Sequence, residues 1–256
     1  MSVIKDILRY KKEEVQFLKK SEKEFLEKAE KKSPIPLFSH LFQDKITLAA
    51  GMKKASQSLG VMRKEIDLTQ TAKNFEKLGI QVFSVATDSK YYQGSLSLLE
   101  NIKQAVHVPV IQEDFVIHPI QLLWAKSAGA DGSVIIASLL SSSDIKKLLK
   151  ESETLGLQCL VEIASEEDLK KALKADASYF RINNRNIETG QVNISNALKI
   201  FHKIPSEKKT ALQGGITSIR DIQLFLEVGL KAFFLGKYLL EQNDPTATVQ
   251  TIQNLI

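Results

Sequence analysis

From residue 46 onward, eight short apolar, β-rich runs alternate with amphipathic helical stretches, and this alternation limits the fold more than any other feature of the chain. The runs are Ile46 to Ala50, Ile80 to Ala86, Pro109 to Ile111, Ser133 to Ala137, Gln158 to Ile163, Ser178 to Asn183, Thr210 to Gln213 and Ala232 to Leu235. Val134-Ile135-Ile136 and Phe233-Phe234-Leu235 lack polar alternation, so they suit a parallel sheet whose outer face is covered by helices. Four helix-to-strand junctions place a glycine after an apolar or small residue, at Gly79, Gly129, Gly156 and Gly229. Glycine there supplies the left-handed residue that lets the chain leave a helix and turn into a strand. Eight strands separated by helices close most economically as an α/β fold of the (β/α)8 or TIM-barrel type, with an open doubly wound sheet as the alternative.

The chain has 256 residues, enough for one such domain, with no linker or low-complexity tract to divide it. Residues 1–44 are expected to form an N-terminal helical extension of that single domain. Ile4, Ile7, Leu8, Val15, Leu18, Phe25 and Leu26 make one apolar stripe, and Ser33-Pro34-Ile35-Pro36 ends it. The net charge is +5, and residues 1–32 hold ten basic against seven acidic side chains. The two signs are interleaved at i,i+3 and i,i+4 spacing, the pattern of a solvated, ion-paired helix and not of a nucleic-acid stripe. No apolar run approaches the roughly 20 residues of a membrane span, and the N-terminus lacks a signal-peptide core. One cysteine, Cys159, favours a reducing, cytoplasmic setting and reads as a buried, inert thiol. His40, His107, His118 and His202 are scattered without metal-ligand spacing, so no metal is expected. Tyr91, Tyr92 and Trp124 read as packing.

Functional groups of this fold lie at the C-terminal ends of the strands and in the loops that follow. Those positions hold Lys53, Glu113 with Asp114, Glu162, Asn183 with Arg185, Gln213-Gly214-Gly215, and Gly236-Lys237. The glycines of the last two units place backbone N–H groups where such barrels bind phosphate, and Lys237 adds charge, so a small phosphorylated metabolite is the expected ligand.

Six ordered motifs resemble the indole-3-glycerol phosphate synthase family. They are Lys53-Lys54-Ala55-Ser56-Gln57-Ser58, Ser84-Val85-Ala86-Thr87-Asp88, Tyr92-Gln93-Gly94-Ser95, Asp114-Phe115-Val116-Ile117, Leu160-Val161-Glu162-Ile163 and Ile182-Asn183-Asn184-Arg185-Asn186. The resemblance runs from the N-terminal helix to about Pro245. It implies a (β/α)8 barrel with an N-terminal helical segment and a decarboxylating ring closure of a carboxyphenylamino-deoxyribulose phosphate in tryptophan synthesis, without a cofactor. It further implies that Lys53 binds the substrate carboxylate, Glu162 is the base and Asn183 orients the substrate. Ser56, Arg185, Gly214, Gly215, Gly236 and Lys237 would then line the substrate and phosphate end.

The departures fall at chemically sensitive positions. Glu113 stands where the family has its general-acid lysine, Gly51 where it has a glutamate, and Gln213-Gly214 where it has a glutamate and a serine; Gln57 replaces a proline, and Lys237 a small polar residue. Loss of a positioned general acid alone costs about 10²- to 10⁴-fold in rate. A nearby Lys53 would hold Glu113 ionised and oppose its use as an acid. Three readings follow: an impaired or rewired synthase, a barrel acting on a different phosphorylated sugar or amine, and a phosphometabolite-binding or partner-binding protein without catalysis.

Overall fold

The computed structural model describes residues 3–53, 55, 56, 60, 61, 66–185, 189–242 and 244–255, without the side chains of 55, 56, 60 and 61. Eight parallel strands close into a barrel: β1 (Thr47–Met52), β2 (Val82–Ala86), β3 (Val110–Glu113), β4 (Gly132–Ile136), β5 (Gln158–Ile163), β6 (Tyr179–Asn183), β7 (Lys209–Gln213) and β8 (Ala232–Phe234). Each strand pairs with its neighbours in sequence, and β1 pairs with both β2 and β8 to complete the ring. The eight expected runs are therefore the eight barrel strands, and the open-sheet alternative is excluded.

The junction glycines behave as the sequence requires. Gly79, Gly129, Gly156 and Gly229 all have positive φ, between 70° and 93°. Helix starts are equally local. Ser95, Ser141, Ser165, Asn193 and Ser218 each cap a helix with a side-chain oxygen, and His118 caps the helix Pro119–Ser127 through its ring nitrogen.

The extension consists of α1 (Val3–Leu18), a 3-10 turn at Lys19–Ser21, α2 (Glu22–Ala29) and, after the prolines, α3 (Leu37–Leu41). It runs from one mouth of the barrel to the other. Ile7, Val15, Leu18 and Ala29 are buried, whereas Leu26 of the expected stripe is 46% exposed and Phe17 70% exposed. The break at Lys19–Ser21 rotates the second half of the stripe, which explains why Leu26 faces out. Leu37 and Leu41 are buried beneath the strand starts, and Phe38 stacks on Tyr179 at the beginning of β6, with ring centroids 3.5 Å apart. Two polar side chains, buried Asp131 and half-buried Gln158, fix this crossing, since Asp131 accepts from Ile35 N at 2.6 Å and Gln158 from Phe38 N at 2.8 Å.

At the opposite mouth the extension is not the wholly solvated, ion-paired face expected of its charges. Lys11 is fully buried and lies 2.6 Å from Asp114, 2.8 Å from Asp88 and 2.9 Å from Glu14. Asp88 and Asp114 follow β2 and β3, so this cation clamps α1 to two loops of the C-terminal rim. Tyr10 adds a hydroxyl contact to Ser89 at 3.1 Å and an edge contact to Tyr91.

Candidate active site

Residues at the C-terminal ends of β3, β5 and β6 and the segment after β1 meet inside the barrel as one ion-pair cluster. Glu162 on β5 is the register partner of Arg181 on β6, and the two side chains meet with a 2.5 Å Oε2–Nη2 contact. The other guanidinium nitrogen of Arg181 lies 3.4 Å from Glu113 Oε2. Lys53 approaches the other oxygen of Glu113 at 3.0 Å. Ser84 on β2 donates to Glu113 at 2.6 Å, Gln213 on β7 lies 3.5 Å from it, and Asn183 donates to Glu162 at 2.9 Å. Two cations thus meet two carboxylates, and each carboxylate oxygen has a hydrogen-bonding partner.

The electrostatics follow from this arrangement. Burial alone would favour the neutral form of Glu113, but Lys53, Arg181 and the Ser84 hydroxyl together outweigh it and lower its carboxyl to about 2. Burial works against the charge on Arg181 as well, yet Glu162 and Glu113 hold it firmly protonated. Arg181 is 1% exposed and lies over the ring of Phe234, at 5.2 Å from the centroid. Lys53 is the most accessible of the four, at 17%, and sits 5.2 Å from the ring centroid of Tyr92. Tyr92 therefore belongs to the wall of the site as well as to packing, through its stack on Phe115.

Of the residues singled out in the sequence, Lys53, Glu113, Glu162 and Asn183 are brought together here. Asn183 also joins this centre to the loops, because its carbonyl oxygen accepts from Arg185 N at 3.0 Å. The Arg185 guanidinium turns back to the carbonyl of Gly190 at 2.7 Å. Gly214 and Gly215 have φ of 75° and 67°; a Cβ on Gly214 would come within 2.9 Å of Asn183 Oδ1, and one on Gly215 within 2.4 Å of Val192. Both glycines are thus required by backbone conformation and by close packing of the β7 loop on the β6 loop. Beside Gly215, the Asn184 side chain is buried and its amide has no hydrogen-bonding partner among the described residues, so a polar ligand atom or water could be received there. Gly236 lies against Gly51, and Lys237 is half exposed, 3.6 Å from Glu241. The side chain of Ser56 and all of Gln57 lie outside the described residues.

Arg181 is the functional side chain that sequence reasoning missed. Its signal was nevertheless present, for residues two apart on a strand face the same way, and Asn183, two residues on, was already a candidate site residue. Cys159 is buried, and burial pushes its thiol up to about 11. Among the described residues no three His, Cys, Asp or Glu side chains are grouped to hold a metal ion, and no helix is long and apolar enough to cross a membrane.

A closed (β/α)8 barrel with charged side chains converging at its C-terminal mouth defines the class of TIM barrels, whose functional groups lie at that face. Within that class the chain belongs to the indole-3-glycerol phosphate synthase family, whose model matches residues 4–252. It is 33% identical over 209 residues to the indole-3-glycerol phosphate synthase of Rhodopirellula baltica, covering 82% of this chain and 81% of that one. It is 35% identical over 202 residues to the enzyme of the same name from Campylobacter jejuni subsp. doylei, covering 79% and 78%. Among solved structures, 3-hexulose-6-phosphate synthase from Salmonella typhimurium superposes with a TM-score of 0.64 at 14% identity, over 81% of this chain and 97% of that one. That likeness concerns the barrel fold.

Proposed function

We propose that this protein binds a small phosphorylated metabolite at the C-terminal rim and carries the family's decarboxylating ring closure in impaired or rewired form, within the cytoplasm. The observation that carries this reading is the state of Glu113. A general acid must hold a proton at working pH, yet Lys53, Arg181 and the Ser84 hydroxyl hold the Glu113 carboxyl below the usual carboxylate range, so it is ionised at pH 7. A cationic lysine acid is thereby exchanged for a fixed anion at the centre of the pocket, while Lys53, Glu162 and Asn183 remain in contact range of one another through Glu113 and Arg181. Arg185, Gly214, Gly215, Gly236 and Lys237 would receive the phosphate end, with Ser56 beside Lys53. The second reading, a phosphosugar-binding barrel with a different substrate or no catalysis, is favoured by the internal neutralisation of the cluster, in which Lys53 and Arg181 are both paired.

Turnover of the carboxyphenylamino-deoxyribulose phosphate by the purified chain separates the two. Replacing Glu113 by lysine alone would set three cations around Glu162, so the restoring variant combines Glu113→Lys with Gly51→Glu. A Cβ at residue 51 would meet the backbone of Gly236, its Cα at 3.4 Å and its N at 3.9 Å, which is ordinary van der Waals contact. The double variant is expected to form product at least ~10-fold faster than the parent, with non-additive single effects. A folded double variant that binds the substrate and gains no turnover rejects the impaired synthase in favour of the second reading.

A further inference from the structure

We infer that Glu113 is a specificity-determining residue: fixed between Lys53 and Arg181, it turns the pocket away from ligands that carry a carboxylate and toward phosphorylated ligands that present a hydroxyl or amine at that point. The inference rests on the reading of this rim as a pocket for phosphorylated metabolites.

Of the two described cations of the cluster, Lys53 is the one an incoming anion meets first, because Arg181 is buried and committed to Glu162 at 2.5 Å and Glu113 at 3.4 Å. Glu113 lies only 3.0 Å from the Lys53 ammonium. A ligand carboxylate paired with that ammonium would stand within about 6 Å of the Glu113 carboxylate, two contact distances across one nitrogen. Drawing Lys53 away does not remove the repulsion. Ser84, Arg181 and Gln213 still hold Glu113 in place and ionised. Of the remaining groups near it, the Tyr92 phenol is neutral, since burial and then the charges of Glu113 and Glu162 push its ionisation up, and Glu162 is a second anion behind Arg181. A ligand hydroxyl or amine reverses the balance, donating to Glu113 while Lys53 and Arg181 keep their partners. The Lys53 ammonium is shared with Glu113 at 3.0 Å, so its attraction for a ligand carboxylate is already largely offset, and the like charge of Glu113, partly shielded from water, opposes that carboxylate by on the order of tenfold in affinity.

The test is calorimetric titration of the full chain at pH 7 with two phosphorylated anilino-deoxypentitols that differ only in an ortho carboxylate, the reduced sugar preventing reaction. The parent is expected to bind the carboxylate-free ligand at least ~10-fold more tightly, and Glu113→Gln to narrow the gap to less than ~3-fold by improving binding of the carboxylate ligand. Equal binding by the parent, or tighter binding of the carboxylate ligand, overturns the inference and leaves the phosphorylated-metabolite reading standing. Binding of neither ligand, nor of inorganic phosphate, overturns both. The comparison on the parent alone decides the matter even where the glutamine variant does not fold, and a preference that survives in a folded Glu113→Gln protein assigns selectivity elsewhere.

Discussion

A carboxylate can occupy position 113 inside the barrel because an arginine stands across from it. Glu113 without Arg181 would face Glu162 with Lys53 as the sole nearby cation among the described residues, and one of the two carboxyls would take up a proton. The pH consequence has a definite sign. The folded-state carboxyl of Glu113, about 2, is below its unfolded value of 4.5, so its contribution is complete above pH 4.5 and is lost as pH falls toward 2. That contribution is on the order of 3 kcal/mol. Glu113→Gln should therefore flatten the acid limb of the stability curve between pH 4.5 and 2, measured by urea unfolding at each pH, while Asp114 and Glu14 act alike in both proteins and cancel. An unchanged acid limb in the variant would refute the ion-pair account. The same residues show what the sequence could and could not convey. Lys53, Glu162 and Asn183 were legible because strand ends define a rim. The pairing of Arg181 with Glu162 was not, because register between β5 and β6 is a tertiary fact that a single chain does not spell out.

Among the elements, α1 illustrates how a local pattern misleads. Its charges alternate as on a solvated helix, and Arg9 with Asp6 does form such an exposed pair, but Lys11 at the same spacing from Glu14 is sealed under the β2 and β3 loops. The partners responsible, Asp88 and Asp114, lie 77 and 103 residues further along the chain, beyond any helical periodicity. Removing a cation from such a cluster leaves two buried carboxylates uncompensated. Lys11→Met is expected to cost ~3–5 kcal/mol in denaturant unfolding at pH 7. Burial already raises the Asp114 and Glu14 carboxyls even with Lys11 nearby. Without the lysine their folded values rise further above the unfolded ones, so the variant's deficit should grow with rising pH and shrink on acidification toward pH 4. A deficit independent of pH would point to lost packing in place of lost charge. The barrel strands, by contrast, were read correctly as elements, since their apolar runs and junction glycines are both local.

For the whole molecule, the extension packs along the barrel. The extension contributes Ile7, Leu37 and Leu41 to the main core and Val15, Leu18 and Ala29 to a second cluster against Ile120 and Leu123. Limited proteolysis should spare residues before Pro34 for as long as the barrel itself; rapid trimming there without loss of cooperative unfolding would show that the packing is dispensable. The path of the extension across both mouths also bears on how the chain matures on the ribosome. Its anchors emerge in sequence, Asp88, Asp114, Asp131, Gln158 and then Tyr179, before β7 and β8 have been synthesised and while the ring is still open. At ~5–20 residues per second the first and last of these anchors are separated by on the order of ten seconds. Throughout that interval the extension, made before the barrel, can shelter the unfinished sheet at its two ends, which suits it to act as a built-in guardian of the nascent barrel.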